Sequence, residues 1–211
     1  MIKKSELGHF LLAVIVLAFV GTWSLKQNLK GLEFLWIASL FLIILAINMI
    51  VKKIVAYYYS TDIDIKIWSF QRFGFKEYYY FKVPIPIGIL LTFLLSIATM
   101  GLVPWYAVLQ YDAKPHEYRA ARRHGFYSYS ELTEFHIGVI AIWGMAVLLI
   151  LAFFAYLINI EDLAVLTIAY VAFNMLPISQ LDGCKIFFGS LIWWFILAVI
   201  TLIGIAYTVL L

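Results

Sequence analysis

The sequence predicts an all-α integral membrane protein with about five to six transmembrane helices, a short membrane-associated β element and a re-entrant segment. Of its 211 residues, 65% are hydrophobic and only 13% are charged, whereas a soluble domain is about half apolar and about a quarter charged. The apolar residues also gather in long runs, as helices that face lipid require. The composition therefore excludes an ordinary soluble domain, and we expect residues 1–211 to form a single membrane domain.

Five apolar runs are long enough to cross about 30 Å of hydrocarbon as helices. They lie at 7–24, 34–54, 137–160, 163–180 and 187–211. Each run contains few charged residues, and charged residues flank most of them. The five runs are therefore the predicted transmembrane helices.

Two further stretches differ from these runs. The apolar stretch 84–110 is interrupted by Pro84, Pro86, Gly101 and Pro104. Because proline and glycine break long helices, this stretch is predicted to be kinked or re-entrant rather than a complete span. The stretch 63–70 alternates apolar and polar residues, which is typical of a strand.

The distribution of positive charge predicts the topology. If the N-terminus is cytoplasmic and 84–110 enters and leaves on one side, every lysine and arginine except Lys26 and Lys30 is cytoplasmic. Six full crossings would spread these charges almost equally, so the tendency of positive residues to stay inside favours the first arrangement. The sequence therefore predicts five crossings of the cell membrane, with the C-terminus outside. The basic loop 111–134 is expected to contact anionic lipid headgroups.

The most specific local pattern is Asn-x-x-Pro-x-x-x-Leu-Asp-Gly. Its members are Asn174, Pro177, Leu181, Asp182 and Gly183. Ionisable side chains at membrane depth are costly and usually functional, so Asp182 is a candidate functional residue. The alternative is structural, namely a helix that ends in a Leu-Asp-Gly turn at the membrane surface.

This pattern resembles the signature of the site-2 proteases, the intramembrane zinc metalloproteases. Further similarity to archaeal members lies upstream, at Val-Ala-Tyr-Tyr-Tyr 55–59, at 68–75 and at Pro-Ile-Pro-Ile-Gly 84–88. The resemblance implies that Asp182 stands at the position of the third zinc ligand. It also implies that the family's catalytic helix ends just before Val55.

The same resemblance implies that the catalytic site is lost. The family carries His-Glu-x-x-His, in which two histidines bind zinc and the glutamate activates the zinc-bound water. This sequence has Asn48, Met49 and Lys52 in those places. Asparagine is a poor zinc ligand, methionine cannot accept a proton, and protonated lysine repels a dication. Because a catalytic zinc needs about three protein ligands, we expect neither a metal cofactor nor catalytic residues.

A different partner is predicted for Asp182. In the family fold this carboxylate faces the two histidine positions, one of which is Lys52 here. We therefore expect Lys52 and Asp182 to form an intramembrane ion pair, with Asn48 donating a further hydrogen bond. The alternative is that Lys52 extends to the cytoplasmic headgroups while Asp182 lies in water at its helix end.

The resemblance thus implies a non-catalytic homologue of intramembrane metalloproteases that binds or regulates membrane-protein clients. Its expected partners are membrane lipids and a transmembrane client or an active protease, and not nucleic acid. One alternative is an active zinc endopeptidase with atypical ligands, for which His116, His124 and His136 are available. The other is a transporter or channel in which 84–110 forms a re-entrant pore element.

Overall fold

The structure is a computed structural model that describes residues 4–26, 31–72, 80–115 and 132–210. The helices in these ranges are α1 (Lys4–Lys26), α2 (Gly31–Tyr58), α3 (Ile87–Ala98), α4 (Glu134–Leu157), α5 (Glu161–Asn174), α6 (Asp182–Gly189) and α7 (Leu191–Leu210). The strands are β1 (Thr61–Ile67), β2 (Phe70–Arg72), β3 (Tyr80–Ile85) and β4 (Leu109–Pro115). The described chain is therefore mostly helical, as the sequence predicts.

Four of the described helices, α1, α2, α4 and α7, are long and apolar enough to cross a membrane. They coincide with four of the five predicted runs. The fifth, 163–180, differs from the prediction because its helix α5 has only 14 residues, fewer than the roughly 20 that a spanning helix needs. The helix ends at Asn174, and the exposed Pro177 that follows it cannot continue a helix.

The apolar stretch 84–110 is not one long helix, as its helix-breaking proline and glycine residues predict. Only Ile87–Ala98 is helical. The chain then turns through Met100 and Gly101, which have positive φ angles of 51° and 85°, and it is extended again where β4 begins at Leu109. This conformation is compatible with the predicted re-entrant path.

The β structure is larger than the sequence predicts. The alternating stretch 63–70 is confirmed as a strand, since it overlaps β1, while β3 and β4 were not predicted. Strand β1 pairs with β4, and β2 pairs with β3 in antiparallel fashion. At the end of β1, the Trp68 N–H donates to the Val108 carbonyl at 2.8 Å.

The residues cluster into two compact units. The first comprises Met1–Leu42 and Lys66–Gln110, and the second comprises Ile43–Ile65 and Tyr111–Leu211. In the first unit, aromatic rings pack against each other. The ring centroids are 5.9 Å apart for Phe19 and Phe93 and 5.4 Å apart for Phe41 and Tyr106. In the second unit, α4 is the central helix and packs against α5, α6 and α7.

Candidate functional site

Two glycines of α4 allow other elements of the second unit to approach it closely. At Gly138, an added Cβ would lie 3.0 Å from the Gly189 Cα, so the backbones of α4 and α6 are in direct contact. At Gly144, an added Cβ would lie 2.7 Å from the Lys52 Cε and 3.1 Å from the Asn48 Oδ1. The missing side chain of Gly144 therefore makes room for two polar side chains of α2.

Lys52 and Asp182 form a buried ion pair. The Lys52 Nζ lies 2.5 Å from the Asp182 Oδ2, and the two residues are only 6% and 2% exposed. Lys52 belongs to the C-terminal half of α2, and Asp182 is the first residue of α6. The contact confirms the predicted pair over the alternative in which Lys52 extends to the headgroups.

The hydrogen bond predicted from Asn48 to Asp182 is wrong. Asn48 is 3% exposed, and neither of its amide atoms has a hydrogen-bond partner among the described residues. Its Oδ1 instead lies beside Gly144 on α4. The Oδ1 of Asp182 is also buried without a partner in the described part of the chain. Two polar groups beside the ion pair are therefore unsatisfied.

A second lysine and a tyrosine, which sequence reasoning missed, complete the site. Lys185 follows Asp182 by one turn of α6, and its Nζ donates to the main-chain carbonyl of Tyr111. The same Nζ lies 3.5 Å from the centroid of the Tyr111 ring, and the Lys52 Nζ lies 5.0 Å from that centroid. The Tyr111 hydroxyl donates to the Ile137 carbonyl of α4 at 2.7 Å. Both ammonium groups therefore contact one aromatic ring that is fixed to α4.

We call Lys52, Asp182 and Lys185 the charged cluster. Burial lowers the pKa of Lys185 to about 8, an effect that Asp182 and Asp112 oppose and Lys52 reinforces. Burial also raises the pKa of the Tyr111 hydroxyl well above its usual value, and the charge of Asp182 acts in the same direction.

The motif that contains Asp182 builds a turn that fixes this carboxylate. Asn174 is buried, and its Nδ2 donates to the Tyr170 carbonyl at 2.9 Å. Leu181 is completely buried just before α6. At Gly183, an added Cβ would lie 2.1 Å from the Met175 carbonyl oxygen, so only glycine fits there. The motif therefore has a structural role, and it also presents Asp182 to Lys52.

The residues at the family's zinc positions do not fit a zinc ion. The Lys52 ammonium lies against the Asp182 carboxylate, and Asn48 and Met49 supply no anionic or imidazole ligand. Within the described ranges, no three His, Cys, Asp or Glu side chains gather as a metal site requires.

His136, which is the described member of the three histidines considered as alternative ligands, is not part of this site. His136 lies in the first turn of α4, where its Nδ1 is 2.6 Å from the Thr133 Oγ1 and its ring packs against Tyr59. His116 and His124 lie outside the described residues.

No family model matches the chain, and no curated protein or solved structure is significantly similar to it. The likeness to the site-2 proteases thus rests on the motif at 174–183 and on the order of the segments before it. Independently of that likeness, the second unit contains a buried carboxylate that is held by an ammonium group from another helix.

Proposed function

We propose that the chain is a non-catalytic homologue of the site-2 proteases that binds or regulates membrane-protein clients. The observation that carries the proposal is the 2.5 Å contact between the Lys52 Nζ and the Asp182 Oδ2. In the family this carboxylate is a zinc ligand, whereas here it faces a lysine. An ammonium group neutralises the carboxylate, but it has no open coordination position that could activate water.

The sheet of β1 and β4 supports a role in holding an extended client. Because the sheet has two strands, each strand has one edge that no other described strand occupies. An extended peptide can add to such an edge through main-chain hydrogen bonds. Tyr111 of β4 contacts both lysines of the charged cluster, so a peptide that joins this sheet would be bound near the cluster.

The proposed setting is the cell membrane, with a cytoplasmic N-terminus. Helices α1, α2, α4 and α7 are long and apolar enough to cross. In this proposal α5, which is about 21 Å long at about 1.5 Å per residue, crosses together with the turn that follows it. This gives five crossings and an external C-terminus.

Cysteine labelling tests this topology. The native Cys184 is the only cysteine of the sequence, so Cys184→Ser provides a background for single cysteines at position 27 and within 116–131. An impermeant maleimide added outside intact cells should label position 27 and leave 116–131 unlabelled until the membrane is permeabilised. External labelling of both places would contradict the proposed topology.

The loss of the metal site is tested by restoring it. The triple change Asn48→His, Met49→Glu and Lys52→His rebuilds the family motif on one face of α2, towards Asp182. The purified triple variant should contain more tightly bound zinc than the wild type, measured by mass spectrometry of metals. The matched control, with Asn48→His and Met49→Glu alone, keeps the Lys52 ammonium and should not gain zinc. Equal zinc in all three proteins would contradict the assignment of these positions.

Client binding is tested by photocrosslinking. A photoreactive amino acid at the exposed Asp62 of β1 should crosslink to membrane proteins in intact membranes. The matched control is the same amino acid at Leu202 of α7, which is 63% exposed on a candidate membrane span and should crosslink mainly to lipid. Identical crosslinks from both positions would contradict client binding at the sheet.

A further inference from the structure

Helix α3 has an inverted distribution of polarity. Its buried residues are Gly88, Thr92 and Ser96, whereas the large apolar side chains of Leu90 and Leu94 are exposed. A helix at the surface of a soluble protein shows the reverse pattern, with its apolar stripe turned towards the core. The exposed face of α3 is therefore suited to contact with hydrocarbon rather than with water.

An open groove follows this exposed face, and we call it the α3 groove. It has a volume of about 740 Å³, and the side chains that line it lie between Pro86 and Ala98. All of these side chains are apolar, so the part of a ligand that lies in the groove is expected to carry no charge. Helix α3 also packs against α1, which is a candidate membrane span with Leu11 and Ile15 exposed. The groove thus lies beside a surface that faces lipid wherever α1 crosses a membrane.

The dimensions of the α3 groove match a hydrocarbon chain. A helix rises about 18 Å from Pro86 to Ala98 at about 1.5 Å per residue, close to the roughly 15 Å of hydrocarbon in one leaflet. The volume divided by this length gives a mean cross-section of about 40 Å². Another helix, with a diameter of about 10 Å and a cross-section of about 80 Å², is too thick to lie within the groove. An extended peptide is thinner, but its main-chain N–H and C=O groups would find no partner among apolar side chains.

A positive charge lies near the N-terminal end of the groove. Lys82 of β3 is exposed, and its ammonium group forms no ion pair among the described residues. Lys82 precedes Pro86 by four residues, which is within about 13 Å along an extended chain. In a phospholipid the glycerol likewise separates the charged phosphate from the acyl chains. An apolar groove with a cation beyond its end therefore matches both parts of an anionic phospholipid.

We propose that the α3 groove binds one acyl chain of an anionic phospholipid whose headgroup lies at Lys82. The bound chain covers Leu90, Leu94 and the other exposed side chains of this face, and the Lys82 ammonium group attracts the phosphate. The site belongs to the first unit and does not depend on the proposed binding of clients in the second.

The experiment is photocrosslinking of the full chain in vesicles of phosphatidylcholine that contain a minor share of phosphatidylglycerol. A photoreactive amino acid takes the place of Leu94, and mass spectrometry identifies the adducts. Phosphatidylglycerol should be enriched among the lipid adducts about fivefold over its share of the vesicle, which is the attraction expected from one lysine near an anionic lipid. The matched control is the same amino acid at Leu202 of α7, where the adducts should follow the composition of the vesicle.

A charge variant locates the headgroup. Lys82→Gln should reduce the enrichment at position 94 to the share of phosphatidylglycerol in the vesicle, while a lipid adduct still forms there. Lys114→Gln, which removes another exposed lysine, should leave the enrichment unchanged. Both lysines are exposed, so we expect both variants to fold.

Three results would overturn the proposal. The first is a crosslink from position 94 to a second copy of the chain or to another membrane protein in place of lipid. The second is the same lipid composition at positions 94 and 202, which would mean that only bulk lipid covers α3. The third is an enrichment that persists in Lys82→Gln.

Discussion

Buried hydroxyl groups bond within their own helix in both units, whereas a buried ion pair between two helices is found in the described part of the second unit. In the first unit, Thr22, Thr92 and Ser96 are almost completely buried. Each hydroxyl donates at 2.7 Å to a carbonyl four residues earlier in its own helix. Such groups are satisfied as soon as the helix forms, whatever the rest of the protein does.

In the second unit, the charged cluster depends on residues that are far apart in the chain. The partners Lys52 and Asp182 are 130 positions apart, and Lys185 and Tyr111 are 74 positions apart. Several polar atoms beside them have no partner in the described ranges. Local hydrogen bonds therefore stabilise single helices in both units, whereas the charged cluster forms only where α2 and α6 pack together.

The largest effect is expected from breaking the ion pair. Lys52→Met or Asp182→Asn alone should lower the free energy of unfolding by about 3–5 kcal/mol, because each leaves a buried charge without its partner. The double variant should lose much less free energy of unfolding than the sum of the two single losses. The measurement is a double-mutant cycle on unfolding in detergent or bilayers.

The control for this cycle is a partly exposed ion pair of the same unit. Lys114 and Asp64 lie 3.5 Å apart, and the Lys114 side chain is 66% exposed. The coupling energy between Lys114 and Asp64 should be smaller than about 1 kcal/mol. A coupling energy near zero for Lys52 and Asp182 as well would refute the distinction between local and long-range polar contacts.

A somewhat smaller effect is expected from Gly183→Ala. The new Cβ would lie 2.1 Å from the Met175 carbonyl oxygen, which belongs to the backbone and cannot easily move. The cost should be about 3 kcal/mol, at the upper end for overpacking, and chemical denaturation would measure it. The control is Gly8→Ala in α1, where an added Cβ meets nothing within 4 Å. Equal stability of the two variants would show that the 174–183 turn does not require glycine.

Gly144→Ala should have an intermediate effect. Its Cβ would lie 2.7 Å from the Lys52 Cε, which is near the far end of a flexible side chain that can shift. We expect a loss of about 1–2 kcal/mol, and a smaller loss in a Lys52→Ala background, where the obstructing atoms are gone. Unfolding of the two single variants and the double variant measures this non-additivity. An additive result would contradict the role of Gly144 in accommodating Lys52.

The smallest effect is expected in the first unit, from Thr92→Val. The change removes a hydroxyl that bonds only within its own helix and keeps the shape of the side chain. The free energy of unfolding should change by less than about 1 kcal/mol. A loss as large as that of Lys52→Met would mean that local and long-range polar contacts matter equally here.

Sequence reasoning predicted the parts of the structure that depend on hydropathy. Helices α1, α2, α4 and α7 lie where long apolar runs are found, because a spanning helix needs only length and low charge. The contact between Lys52 and Asp182 was also predicted, from the resemblance to a family in which these positions face each other. Without that resemblance, a pattern in one sequence could not predict a contact between Lys52 and Asp182, which are so far apart in the chain.

The errors concern features that only tertiary contacts decide. Asn48 turns towards Gly144 rather than Asp182, and nothing in the helical spacing distinguishes these two directions. Lys185 was predicted only to contribute to the positive charge on the cytoplasmic side. Tyr111 was placed in a polar loop, although polar Gln110, Asp112 and Lys114 alternate with less polar neighbours, which is the pattern of a strand.

The long separation between Lys52 and Asp182 also affects the biogenesis of the protein. Chains are made from the N-terminus at about 5–20 residues per second, so Lys52 leaves the ribosome roughly ten seconds before Asp182. During that time Asp182 is absent, and on the proposed topology we expect the Lys52 ammonium group to remain at the headgroups. We therefore expect the ion pair to form only after α6 has been made. A chain that ends before α6 would lack the partner of Lys52.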